Sequence, residues 1–283
     1  MKITLEEIQD VFEENTSFEK FKSRKRKLTG SQNVNKLVSD DGSNSFTATD
    51  LEELRGRGIV DELLYVIKSG KEATVYLGKS SEGYSAVKMY TDLRVRSFKK
   101  DDIYRQGRFI GDARIEKAID QGSKTGLNAH QILWVSEEFR QMNFLYKSGI
   151  PVPKPIANSG LVVVMEFIGE EREAAPRISD LNLEKEDAQD AFRQSLRILE
   201  RIVSVGRIHG DFSSYNLLWN NGKVIVIDFP QIINIQSNTS AKEILKRDIV
   251  SFCKSFKKHK VESDPEKIYK NMLRIIYDSG IDL

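Results

Sequence analysis

The chain has 283 residues, 44 Lys and Arg against 42 Asp and Glu, and a formal net charge of +2, with 39% hydrophobic and 30% charged residues. At about 150 residues per domain this is a globular chain of two lobes with enough length for a real core, and its near-neutral balance argues against a purely electrostatic nucleic-acid binder. One Cys (Cys253) excludes an internal disulfide framework or a Cys-cluster metal site, three His speak against a His-built zinc site, and the absence of a signal pattern at Met1 or of a long apolar run implies a cytoplasmic protein with no membrane partner.

In chain order, residues 4–14 read as a short helix with a Thr4/Glu7 capping box and Leu5, Ile8 and Phe12 on one face. A basic run, Lys22 to Lys27, leads into a polar linker from Thr29 to Ser45. Thr49 and Glu52 repeat the capping-box pattern and predict a helix start, ending near Gly58. Three strands follow: Leu64 to Ile67, Ala73 to Leu77 and Tyr84 to Met89, the last two joined across Ser80 to Gly83. Residues 91–128 lose clear periodicity and carry nine Lys/Arg against six Asp/Glu. A helix is predicted from Ala129 to Ser148, with Val135, Phe139, Met142 and Tyr146 on one face.

Leu161 to Ile168 reads as a buried strand, and Phe192, Leu196, Leu199 and Val203 form a helical stripe. Leu217 to Trp219 and Val224 to Ile227 form a hairpin around Asn220-Asn-Gly222. Two helices close the chain, one with Leu245, Ile249, Phe252 and Phe256 in line, the other capped by Asp264 with Pro265 at its first position. Strands early and helices late make an α+β chain: residues 1–47 as a leading segment, 48–168 as a β-rich lobe carrying the 91–128 stretch, and 169–283 as a helical lobe. Ligands often occupy clefts between lobes.

The sharpest chemical pattern is His209-Gly-Asp-Phe-Ser-Ser-Tyr-Asn216, followed twelve residues later by Asp228 at the end of an apolar strand. Phosphoryl transfer needs a carboxylate to orient or deprotonate the nucleophile and oxygen ligands for Mg²⁺ at the nucleotide phosphates. Asp211 supplies the first; Asn216 and Asp228, joined by a hairpin, supply the second. The bland alternative, polar turn residues around a hairpin, does not explain the spacing together with the apolar strand. In the early strands, Ser69, Gly70, Lys71, Glu72 and Val75 lie in a strand–strand connection whose amides can approach phosphates, or which is an ordinary hairpin. Lys88, in Ala86-Val-Lys88, is a point charge for the α/β-phosphates. A buried Lys requires a carboxylate partner; of Glu137 and Glu138, the latter adjoins the apolar stripe and is preferred, the alternative being a solvated helix carboxylate. Met165, Glu166 and Ile168 lie where a lobe connector would read an adenine edge, or simply end a buried strand.

These segments resemble the RIO family of atypical serine protein kinases. The resemblance rests on Ser69-Gly-Lys-Glu-Ala-Thr-Val-Tyr76, Trp134 with Glu138-Phe-Arg140, Gly149 to Pro155, Met165 to Gly169, Ala175-Pro-Arg177, Ile208 to Asn216 and Ile227-Asp-Phe-Pro-Gln231, and covers about residues 48–257. It implies a bilobal protein-kinase-like fold with a reduced helical lobe. The 50 residues from Lys88 to Glu138 and the 55 residues after Asp228 fit an insert and a small second lobe. The phosphate loop resembles the type-one group, whereas His-Gly-Asp-Phe and Ile-Asp-Phe-Pro-Gln resemble types two and three.

The resemblance further implies ATP with Mg²⁺, or Mn²⁺ in its place, as cofactors. Asp211 is then the catalytic carboxylate, Asn216 and Asp228 the metal ligands, and Asp228 an acceptor of phosphate. It also implies autophosphorylation and ATP hydrolysis in maturation of the pre-ribosomal small subunit, with protein and rRNA partners and no DNA. Lys22 to Lys27 and the insert's Arg94, Arg96, Lys99, Lys100, Arg105 and Arg108 are candidates to meet rRNA phosphates, or are solvated segments. Ser97 is a candidate phosphoacceptor. Two other readings use the same residues: a small-molecule phosphotransferase of the aminoglycoside or choline type, and a nucleotide-gated assembly factor with little protein kinase activity.

Overall fold

The computed structural model describes residues 45–70, 73–90 and 124–283. The predicted helix at residues 4–14, the basic run, most of the polar linker, Lys71, Glu72 and the insert residues named above lie outside them. The described residues divide into two compact units: 45–70, 73–90, 124–139 and 155–167 in one, 140–154 and 168–283 in the other.

The first unit is built on a five-stranded antiparallel sheet in the order β1-β2-β3-β5-β4, with β1 Glu62–Ser69, β2 Ala73–Ser80, β3 Gly83–Tyr90, β4 Pro155–Ser159 and β5 Val162–Glu166. The predicted hairpin is present, with Ser80 opposite Gly83. Alternation along β3 sends Val87 and Met89 into a core with Leu51 and Leu54 of helix α1 (Ser45–Gly56), Leu63, Val162 and Val164. Lys88 therefore faces the other side of the sheet. The predicted strand at Leu161 to Ile168 stops at Glu166. Helix α1 begins at Ser45, so Thr49 and Glu52 lie inside it rather than at its start; nothing between Ser45 and Thr49 breaks a helix.

Asp50 is the polar link between α1 and the β4–β5 turn. Its buried carboxylate accepts from the Leu161 N–H at 2.9 Å, and the Ser159 hydroxyl lies 3.5 Å from Asp50 and 2.5 Å from Glu53. Gly160, at φ +43°, leaves room for it: a Cβ there would sit 2.2 Å from an Asp50 oxygen.

Helix α2 (Lys124–Lys147) starts ahead of the predicted Ala129. Its buried face is Gln131, Trp134, Val135, Glu138, Gln141, Met142 and Leu145, a stripe at helical spacing. Val135 and Met142 are on it as expected; Phe139 is half-buried and Tyr146 is exposed, because the stripe runs through polar residues that a hydrophobicity count passes over.

The second unit holds three helices, α3 (Lys185–Ser204), α4 (Ala241–Phe256) and α5 (Pro265–Asp278), and four short strand pieces that matter here: β8 (Arg207–Ile208) with β11 (Ile233–Asn234), and β9 (Leu217–Asn220) with β10 (Lys223–Val226). Two further short strands, β6 (Gly169–Glu170) and β7 (Glu173–Ala174), pair with each other. The predicted α4 line is fully buried, Asp264 caps α5 by accepting from the Glu266 and Lys267 N–H groups, and β9 turns into β10 with Asn220 opposite Lys223. The α3 stripe differs in phase: Ala188, Ala191, Ser195, Ile198, Leu199, Ile202 and Val203 are buried, and Phe192 and Leu196 border it. Phe192 stacks on Phe252 at 4.8 Å and meets Phe256 edge-on. Among the described residues no helix is long and apolar enough to cross a membrane.

Burial pushes the Asp50 carboxyl up to about 7, with Glu53 adding to the rise and the Leu161 and Ser159 hydrogen bonds opposing it. The folded state therefore binds a proton that the unfolded chain releases near pH 4, and stability falls as pH rises from about 4 to 7. Asp50→Asn should flatten that part of the curve relative to wild type in urea melts at pH 5 and pH 7.5.

Candidate functional site

In the first unit, Lys88 sits mid-strand with Val75 beside it on β2 and Val163 beside it on β5. Those apolar neighbours make a lone ammonium costly. Glu138, buried on α2, answers it: Lys88 Nζ lies 2.6 Å from Glu138 Oε1. The Tyr90 hydroxyl donates to Glu138 Oε2, and its ring lies 5.0 Å from Lys88 Nζ. The carboxylate is thus held at both oxygens, and the Glu138 preferred from sequence is the partner of Lys88. Tyr90 was not singled out from sequence; its cue is a phenol two residues beyond Lys88, on the same face of the strand.

Ser69 and Gly70 are exposed at the end of β1, and the Gly70 N–H donates to the Ala73 carbonyl at 2.9 Å. Val75 is half-buried; Lys71 and Glu72 lie outside the described residues. Met165 is buried and pairs with Ala86, Glu166 is exposed and pairs with Ser85, and half-buried Ile168 has its carbonyl taken by the Ala175 N–H at 2.9 Å.

The second unit brings Asp211, Asn216 and Asp228 together. The Asn216 side-chain NH₂ donates to both the main-chain carbonyl and Oδ2 of Asp211, each at 2.9 Å. The Asn216 carbonyl accepts from the Ile227 N–H at 3.0 Å, which fixes the chain just before Asp228. Asp228 itself has φ +71°, a left-handed conformation that Asp tolerates better than most residues. Its neighbours hold it there: Phe229 is buried and meets the His209 ring, which also meets Phe212. Burial pushes the His209 imidazole down although the Asp211 and Asp228 carboxylates pull it up, so this ring serves as a neutral packing element between the two loops.

Gly210, before Asp211, has no room for a side chain: φ is +84° and a Cβ would lie 2.4 Å from the Gln231 carbonyl oxygen. Its N–H donates to Asp248 Oδ2 and its carbonyl accepts from Arg247, both at 2.7 Å. Asp248 is buried inside the apolar stripe of α4. Sequence reading passed it by, although an acid between Leu245 and Ile249 was the available cue. Burial pushes its carboxyl up to about 7, against the Gly210 N–H and the Arg247 guanidinium.

The donor set fits a hard divalent cation. The Asn216 amide turns its NH₂ to Asp211 and leaves a neutral oxygen ligand, and Asp228 adds a carboxylate. Among the described residues no three His, Cys, Asp or Glu gather as a metal cluster. Few protein oxygens, completed by phosphate and water, suit Mg²⁺.

Known proteins resemble this chain over most of its length. The family model described as RIO domain matches residues 74–268. The RIO-type serine/threonine-protein kinase Rio1 of Haloferax volcanii is 30% identical over 240 residues, covering 84% of this chain and 76% of that protein. Human serine/threonine-protein kinase RIO1 is 30% identical over 230 residues, covering 76% of this chain and 39% of the human protein; the chain thus spans well under half of that relative. The Rio2 kinase of Chaetomium thermophilum has the same fold, with a TM-score of 0.63 at 21% identity over 82% of this chain and 68% of that one; its ADP/Mg²⁺-phosphoaspartate complex scores 0.61.

Two outcomes follow from the contacts. Glu138→Ala leaves Lys88 between Val75 and Val163 without its carboxylate and should cost about 3–5 kcal/mol, whereas Tyr90→Phe removes one hydrogen bond and should cost about 0.5–1.5 kcal/mol; urea unfolding separates them. Asp248→Ala strands the buried Gly210 N–H at about 1–3 kcal/mol, and Asp248→Asn, which keeps an acceptor, should recover most of that in the same assay.

Proposed function

Because the chain belongs to the RIO family, we propose that it is an ATP- and Mg²⁺-dependent serine/threonine kinase and ATPase. The observation that carries this reading is the double hydrogen bond from Asn216 to Asp211, with Ile227 tied back to the same Asn216. It supports reading Asp211 as the carboxylate that phosphoryl transfer requires, with Asn216 and Asp228 as the oxygen ligands.

In this mechanism Lys88 holds the α/β-phosphates, and Glu138 with Tyr90 holds Lys88. Ser69 to Val75 approach the phosphates through main-chain amides, and the Met165 to Ile168 segment borders the adenine. Asp211, oriented through Oδ2, accepts the proton of the attacking hydroxyl with its other oxygen. Asn216 and Asp228 are the Mg²⁺ ligands; when bound, the ion neutralises charge on the phosphate oxygens and orients the γ-phosphoryl group. A serine oxygen forms the new bond to the γ-phosphorus, the bond to the β–γ bridging oxygen breaks, and ADP leaves with that electron pair.

A second route makes Asp228 the acceptor. Its carboxylate oxygen attacks the γ-phosphorus, ADP departs, and water then attacks the acyl phosphate to release inorganic phosphate and restore the carboxylate. The neighbouring Rio2 structure, described as an ADP/Mg²⁺-phosphoaspartate complex, supports this route by analogy. The reading extends to action on the pre-ribosomal small subunit in the cytoplasm; it rests on the family resemblance and the Rio1 relatives.

Purified protein given γ-labelled ATP and Mg²⁺ should release phosphate and take up label, part of it acid-stable on serine and part hydroxylamine-labile on aspartate. Asp211→Ala should lower the acid-stable serine label by about a hundredfold or more, and Asp228→Asn should abolish the hydroxylamine-labile label. Unchanged rates in Asp211→Ala would end the kinase reading.

A further inference from the structure

The stretch that carries Asp211 reaches the surface at two points. Of residues 211–217, Phe212, Ser213, Ser214, Asn216 and Leu217 are buried, while Asp211 and Tyr215 are exposed. Tyr215 shows 59% of its surface to solvent and forms no hydrogen bond or ring contact among the described residues. A lone surface aromatic needs no explanation of its own. The frame under this one does. Tyr215 is the middle residue of a single 3₁₀ turn, Ser214–Asn216. The Ser214 N–H donates to the Ser255 hydroxyl at 3.0 Å, which donates in turn to the Phe252 carbonyl at 2.8 Å. The Asn216 N–H donates to the Ser213 carbonyl at 2.9 Å.

The next residue, Asn216, is the one whose amide holds Asp211. The turn that orders the carboxylate therefore also fixes the main chain beneath the phenol. A tyrosine has only two side-chain torsions to lose, so a ring on an ordered main chain offers contact area at low entropic cost.

We propose that Tyr215 is a specificity-determining residue, the platform on which a polypeptide substrate lays an apolar side chain flanking its acceptor serine. The inference rests on the kinase reading above and deepens it by naming the kind of substrate. A small alcohol needs a pocket that buries most of its surface, and a small organic cation needs an aromatic cage. An open ring that meets no other ring among the described residues gives neither. The charges around the turn narrow the flanking residue. On the neighbouring turn Ile178–Asp180, Asp180 is paired with Arg177 at 3.0 Å. Arg247 and Lys258 donate to the Gly210 and Ser179 carbonyls, and exposed Lys254 adjoins Ser255. Those cations disfavour a basic flank, the Asp211 carboxylate disfavours an acidic one, and the ring favours an apolar one.

The test is phosphorylation of short peptides by the full chain with γ-labelled ATP and Mg²⁺, each peptide carrying one central serine flanked on both sides by Phe, Gly, Lys or Glu. Preference is read as a ratio of kcat/KM values within one protein, which cancels any change in turnover that a variant carries. Wild type should favour the Phe-flanked peptide over the Gly-flanked one by about tenfold. Tyr215→Phe should keep that ratio, and Tyr215→Ala should bring it to within about twofold of unity. Tyr215→Glu should move the preference to the Lys-flanked peptide, a gain that misfolding cannot mimic. A wild type with no preference, or with a Lys or Glu preference, overturns the proposal, as does a Phe preference that survives in Tyr215→Ala or Tyr215→Glu. A wild type that releases phosphate and labels its own serine yet is indifferent to the flank fails this inference alone. One that does neither fails the kinase reading along with it.

Discussion

The buried carboxylate of Asp248 on the Gly210 N–H is the contact on which the order of residues 210–216 in the second unit depends. Gly210 is gripped from three sides: by Asp248 at its nitrogen, by Arg247 at its oxygen, and by the Gln231 carbonyl against its α-carbon. That grip determines where Asp211 begins. From Asp211 the ordering passes to Asn216, and from the Asn216 carbonyl to Ile227 and the left-handed Asp228. A chain of short hydrogen bonds, with His209, Phe212 and Phe229 packed behind it, keeps three polar side chains in place before any ligand arrives. Such preorganisation is what makes electrostatic catalysis inexpensive at the moment of reaction.

The first unit solves a related problem by another route. Sheet alternation dictates that Lys88 leave the core of Val87 and Met89 and enter a setting flanked by Val75 and Val163. A charge there persists only with a buried counter-charge. Glu138 provides it, and Tyr90 takes the carboxylate oxygen that Lys88 leaves. In both units, then, a buried acid orders a polar group of the chain far from it in sequence.

Much of this was legible in residue order. The spacing of Asp211, Asn216 and Asp228, the strand around Lys88, the Asn220-Asn-Gly222 turn and the Asp264–Pro265 helix start are local features, and each appears where the pattern places it. Other elements were misjudged for identifiable reasons. The α2 face was read from apolar residues alone, so Tyr146 was counted in and Gln131 and Gln141 were left out. The α3 stripe was read through large side chains, so Leu199 and Val203 were found but the buried Ala188, Ala191 and Ser195 were passed over and Phe192 and Leu196 only border the face. Asp248 and Tyr90 were missed because each sits in a segment already explained by its hydrophobic neighbours.

Residue order by itself pointed to the family, the α+β class and the longer helices and strands, because turns, caps, alternation and motif spacing depend on neighbours within a few positions. Only the tertiary structure decided which carboxylates are buried. Asp50 and Asp248 are chemically ordinary in the sequence; their burial and their partners Leu161 and Gly210 arise from segments 111 and 38 residues apart packing together. Desolvation is a property of everything that surrounds a group, and no local window contains it.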